Sequence, residues 1–168
     1  MGKYIFILLA FTFIFSCKKQ EANKPVPINF HGIISTDANG NIIYNNDSTD
    51  WKQNDIWSAT EAGLFTSSKP ICINPFNYRI IGFPNPCNGY MYINYHQSHP
   101  VRFEYRVVDR YYNILLANDS LNMSKDSFNS VNYVIDLSKY KGGDTIRMYY
   151  KIITSNCECR GHGDIVVK

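Results

Sequence analysis

Residues 101–107 alternate without interruption: Val101, Phe103, Tyr105 and Val107 hold one set of positions, and Arg102, Glu104 and Arg106 hold the other. Side chains on an extended strand point to opposite faces in turn. The pattern therefore predicts a half-buried antiparallel strand with its apolar face in a core and Glu104 in a surface ladder of charges. Other strand-like runs follow at 90–95, 113–116, 132–137, 145–154 and 164–167. Gly142-Gly143-Asp144 and Gly161-His162-Gly163 punctuate them, and 118–130 reads as a polar loop. Thirteen Tyr and ten Phe supply side chains that suit a pleated surface. Short strands with close turns predict a mainly β fold, an antiparallel Ig-like β-sandwich over residues 83–168.

The stretch 28–82 reads differently, as a hairpin plus one short helix packing on that sheet. Residues 30–36 and 41–44 flank Asp37-Ala38-Asn39-Gly40, and Asn-Gly tolerates the positive φ angles of a tight hairpin. Asp37, Asn39 and Asn41 also resemble part of a calcium loop, but the glycine is misplaced and no closing glutamate follows. Residues 54–65 carry Trp57, Glu61 and Leu64 at helical spacing, with Asn54 or Asp55 as the expected cap. Trp51, Trp57, Leu64 and Phe65 are expected to pack on the sheet. Pro70 and Pro75 make 66–81 loop and edge strand.

Upstream, Lys3 precedes an apolar run over residues 4–15, closed by Ser16-Cys17. The run is too short to span a bilayer and matches the apolar segment of a secretion signal. Ser16-Cys17, after Ile14 and Phe15, resembles the cleavage box of bacterial lipoproteins in the relaxed, Bacteroidota-type form. The resemblance implies removal of a signal peptide, residues 1–16, and acylation of Cys17. It places the protein in the cell envelope, lipid-anchored to the outer membrane, on a face the sequence does not define. Residues 17–27 are polar, end in Pro25 and Pro27, and form a tether. The formal net charge of +3 includes Lys3, and no basic cluster follows the tether, so nucleic acid is not an expected partner.

With Cys17 acylated, Cys72, Cys87, Cys157 and Cys159 remain, and an even number in an exported chain suggests two disulfides. Cys157 and Cys159, two apart on a strand, face the same way and reach Cys72 or Cys87 more readily than each other. The alternative is a metal site on Cys157, Cys159 and His162, completed by Cys72 or Cys87.

Phe83-Pro84-Asn85-Pro86 opens the second stretch. With Ile93, Val107-Val108-Asp109, Leu137, Met148-Tyr149-Tyr150-Lys151 and Ile165-Val166-Val167-Lys168, it resembles the C-terminal sorting domain of type IX secretion substrates. That resemblance implies a small seven-stranded β-sandwich and, as an alternative role, secretion-related cargo. Tyr112-Asn113 stands where the family has a glycine turn, and Gly163-Asp164 where it has a basic residue. The glycine of the family's Gly-x-Tyr before the penultimate strand is also missing.

No phosphate loop, nucleophile elbow or dinucleotide fingerprint occurs, and no cofactor is implied. His96 and His99 lie in an expected turn, Asp119-Ser120-Leu121 and Asp144-Thr145-Ile146 resemble a short O-glycosylation motif, and no acidic pair stands out. Tyr90 and Tyr92 share one strand face opposite Met91, Ile93 and Tyr95, and form a candidate binding surface for an envelope protein or a glycan. The expectation is a membrane-anchored lipoprotein with a binding or structural role rather than an enzyme. A thiol or metal protein is the alternative.

Overall fold

The computed structural model describes residues 25–73, 78–97, 101–123, 130–140 and 142–168. The expected signal peptide, Cys17, most of the tether and His99 lie outside them. Ten strands and one helix follow in order: β1 (Ile34–Thr36), β2 (Ile42–Asn45), β3 (Lys52–Gln53), α1 (Ala59–Ala62), β4 (Tyr78–Phe83), β5 (Tyr90–Gln97), β6 (Val101–Val108), β7 (Ile114–Met123), β8 (Ser130–Asp136), β9 (Thr145–Ile153) and β10 (Glu158–Val166). They build an antiparallel β-sandwich. A five-stranded sheet of order β3-β10-β9-β6-β7 faces a three-stranded sheet of order β4-β5-β8, and β1-β2 forms a separate hairpin.

Alternation places the core. Met91, Ile93 and Tyr95 of β5, Phe103 and Val107 of β6, and Met148, Tyr150 and Ile152 of β9 are all fully buried between the two sheets. Tyr95 and Phe103 lie 6.2 Å apart between ring centres, and Phe103 and Tyr150 5.9 Å, so an aromatic row crosses from one sheet to the other. Each such side chain contributes roughly 1.5–3 kcal/mol by leaving water.

The stretch 28–82 is more than a covering. Its strands β3 and β4 are edge strands of the two sheets, and the expected boundary after residue 82 falls inside β4. Trp51, just before β3, takes φ +56°, and its N–H donates to His162 O at 2.8 Å. Its ring stacks on Tyr150 and lies so close to Gly82 that a Cβ there would sit 2.6 Å from it. Only glycine leaves space for the indole at this point. Asn85, fully buried, ties the units together: Nδ2 donates to Ile34 O and Asp164 O, and Oδ1 accepts from Val166 N.

Several local expectations change. The helix covers only 59–62, because Asn54 N donates to Arg160 O and Asp55 accepts from Arg160 N, which prolongs the pairing of β3 with β10. Ser58, not Asn54 or Asp55, is the cap, in a reciprocal arrangement with Glu61. Residues 118–123 are strand rather than loop, since β7 pairs along β6 as far as Val101↔Met123. Cross-strand pairing outweighs the polar composition there.

The largest correction concerns the charged face of β6. Glu104 and Arg106 are each only 4% exposed, not a surface ladder. Residues 28–30 and 57–69 lie across that face. Phe65 covers Arg106 at 4.9 Å and Lys151 at 4.8 Å, Trp57 covers Arg160 at 5.2 Å, and Phe30 covers Arg147 at 5.5 Å. Aromatic faces set over cations compensate part of the lost hydration. Ion pairs supply more: Arg147 holds Asp164 by two bonds of 2.6 and 2.7 Å, and Glu158 meets Lys151 at 3.3 Å and Arg160 at 2.7 Å. No helix among the described residues is long and apolar enough to cross a membrane.

Candidate functional site

The hairpin β1-β2 leaves a gap between the edge strands of the two sheets. Thr36 pairs with Asn85, and its Oγ1 donates to Gly82 O at 3.0 Å, which closes one end. Beyond that point β4 and β3 separate around a cleft of about 570 Å³. Ile34, Trp51, Ile80 and Ile81 form its apolar part, and Asn45, Asp50, Lys52, Gln53 and Arg79 its polar part. The size is that of sites that take small ligands or short peptide segments.

Asp50 is fully buried and accepts from two backbone donors, Ile34 N at 3.0 Å and Asp164 N at 2.6 Å. Burial pushes its carboxyl up to about 7, and the nearby Asp164 adds to the rise against the two hydrogen bonds. Both oxygens are thus committed to holding the hairpin against β10. Lys52 and Arg79 are exposed and have no ion-pair partner among the described residues. Trp51 is 5% exposed, and its Nε1 has no acceptor among the described residues.

The backbone of β4 matters as much as these side chains. Leu137 N donates to Gly89 O, so on β5 the groups of Met91, Ile93 and Tyr95 turn to β8, and those of Tyr92, Asn94 and His96 turn to β4. Across that ladder Arg79, Ile81 and Phe83 pair with β5. Ile80 and Gly82 direct their N–H and C=O away from it, toward the cleft, as the bond from Thr36 to Gly82 O confirms. No strand pairs with β4 on that side among the described residues.

The residues singled out from sequence fall as follows. Tyr90 is 53% and Tyr92 43% exposed on the outer face of the small sheet, beside Val134, with Tyr92 stacked on Phe83 at 5.6 Å. They adjoin β4 but do not line the cleft. Cys72 and Cys157 form a disulfide that closes a separation of 85 residues. The second expected disulfide is not formed: Cys87 and Cys159 are buried free thiols. Cys159 lies near the start of β10 and Cys87 beside Val167 past its end, about 26 Å away at strand rise.

The alternative metal set is not brought together either. The Cys157 sulfur is bonded to Cys72, Cys159 points into the core, and His162 points to the other face beside Tyr149. No group of three ligand-type residues gathers among the described residues. The Asp37 carboxylate is occupied by Asn39 N, Asn41 N and Asn41 Nδ2, within the turn. His96 is on β5, on the exposed side, rather than in a turn. Asp119-Ser120-Leu121 lies within β7, and Asp144-Thr145-Ile146 runs into β9.

The cleft residues escaped the sequence reading because they come from three segments with no shared spacing: 34–53, the edge strand 78–81, and the partners of Asp50 on β10. The one local signal is Asp50-Trp51, an acid and a large ring directly after a polar loop. No protein-family pattern, no characterised protein and no solved structure matches the chain.

Proposed function

We propose that this chain is a lipoprotein of the bacterial cell envelope, anchored to the outer membrane through acylated Cys17, whose sandwich is a non-enzymatic binding module. The observation that carries the binding role is the cleft of about 570 Å³ beside an edge strand that has no second neighbour among the described residues. Sandwiches leave edges open at a cost in unwanted association, so an edge recessed in a cleft is suited to a selected partner. The floor supports binding over catalysis, because the Asp50 oxygens already accept two backbone N–H bonds. The anchor rests on the leader: acyl chains contribute about 0.8 kcal/mol per buried methylene, and two or more hold a protein on a membrane durably.

A photo-crosslinking side chain at position 53 in native envelopes tests the binding role. It should give discrete adducts that the same group at position 111, exposed on the β6–β7 turn, does not give. Identical adduct patterns from both positions would overturn it. Replacing Cys17 by alanine tests the anchor: the protein should stay unprocessed or leave the membrane fraction, and unchanged fractionation would remove the lipid from the account.

A further inference from the structure

We propose, on the reading of the cleft as a binding site, that its ligand is an extended acidic segment of a partner protein, added as a further strand along the free edge of β4. The backbone supplies the first reason. Ile80 N–H and C=O and Gly82 N–H face the cleft with strand spacing, and a peptide repeats complementary groups at that spacing. Thr36 already occupies Gly82 O, so the added strand runs from that stop toward residue 78, a length of about 13 Å for four residues.

The side chains supply the second reason. An added strand turns alternate residues inward, where Ile34, Trp51 and Ile80 offer an apolar wall. The residues between them stand at the mouth, where Lys52 and Arg79 carry positive charge with no ion-pair partner among the described residues. Among the described residues the only carboxylate lining the cleft, Asp50, is buried and held by two N–H donors, so it opposes an acidic ligand little. The cleft therefore selects a segment that alternates apolar and acidic residues. Flanking half-buried Phe83 and exposed Tyr92 extend the apolar contact on the outer face.

The test uses the full chain in detergent and a fluorescein-labelled probe, the hexapeptide Val-Glu-Ile-Glu-Val-Glu. Its anisotropy should rise saturably, and the lysine counterpart Val-Lys-Ile-Lys-Val-Lys should bind at least about tenfold more weakly. N-methylation of one alternate set of amides should abolish binding while methylation of the other set is tolerated, because only one edge of an added strand meets β4. The exposed substitution Arg79→Glu should weaken the acidic probe about fivefold or more. Equal binding of the acidic and basic peptides, equal tolerance of both methylated sets, or displacement of the probe by chitohexaose would overturn strand addition. If adducts form at position 53 while the peptides fail in these ways, strand addition falls and the binding role stands. If neither adducts nor peptide binding appear, the binding role falls as well.

Discussion

The outer faces of the two sheets invert what their sequences suggest. On the large sheet the outward residues are Glu104, Arg106, Arg147, Lys151, Glu158 and Asp164, and most are buried. On the small sheet the outward residues include Tyr90, Tyr92 and Val134, and these are exposed. The difference lies in what covers each face. Residues 28–30 and 57–69 are laid over the charged face, where Phe30, Trp57 and Phe65 each meet a cation. No comparable segment among the described residues lies over the tyrosines. Polarity alone therefore does not decide which side of a strand meets water. A charged face can be buried if its ions are paired and given aromatic neighbours.

Substitutions on the two faces should differ accordingly, with the largest effect at Glu158. It pairs with Lys151 and Arg160 and accepts from Lys69 N. Glu158→Ala strands the buried Lys151 and the partly buried Arg160 and should cost about 3–5 kcal/mol in denaturant unfolding. A loss below about 1 kcal/mol would mean the covered face is hydrated in solution.

The join between the hairpin and β10 should show as a pH dependence. The Asp50 carboxyl, raised by burial to about 7 from an unfolded value of 3.8, binds an extra proton in the folded state between those limits. Its contribution is fully present below about pH 4 and is lost as the pH rises through about 7, on the order of 4 kcal/mol in all. Unfolding of the native protein and of Asp50→Asn, compared from pH 4 to 8, should differ in slope over that interval. Parallel curves would place Asp50 in water.

The covering segment is pinned at its far end by Cys72–Cys157. Cys72→Ser should lower stability by about 2–4 kcal/mol and speed hydrogen exchange between residues 54 and 71 more than in β5. Uniform acceleration would mean that the cover and the sandwich open together. The smallest effect belongs to the bare face: Tyr92→Ser loses a stacked contact with Phe83 and should cost less than about 1 kcal/mol by the same unfolding measurement. A larger cost would place Tyr92 within the core.

Alternation made the sandwich legible: in β6 the period-two pattern names Val101, Phe103, Tyr105 and Val107, all of which lie in the core between the sheets. It also made Tyr90 and Tyr92 readable as a pair facing away from Met91 and Ile93. What it could not convey was the second covering of the large sheet, because the ring that covers Arg106 and Lys151, that of Phe65, comes from far earlier in the chain. The same distance hid β3, two residues long, and shortened the helix, since Asn54 and Asp55 are drawn to Arg160. The cysteine count suggests two disulfides and only one is formed, because the separation of Cys87 from Cys159 depends on where β10 begins and ends. The cleft was the least legible part, because an edge is defined by the strand that is not beside it.

The functional account depends on that edge being open. Amide hydrogen exchange along β4 in the purified full-length protein tests it most directly. Ile80 and Gly82, directed toward the cleft, should exchange fast, while Ile81 and Phe83, paired with β5, should be protected. Equal protection along the strand would show that the edge is already paired, and the account of the cleft as a binding site would be contradicted.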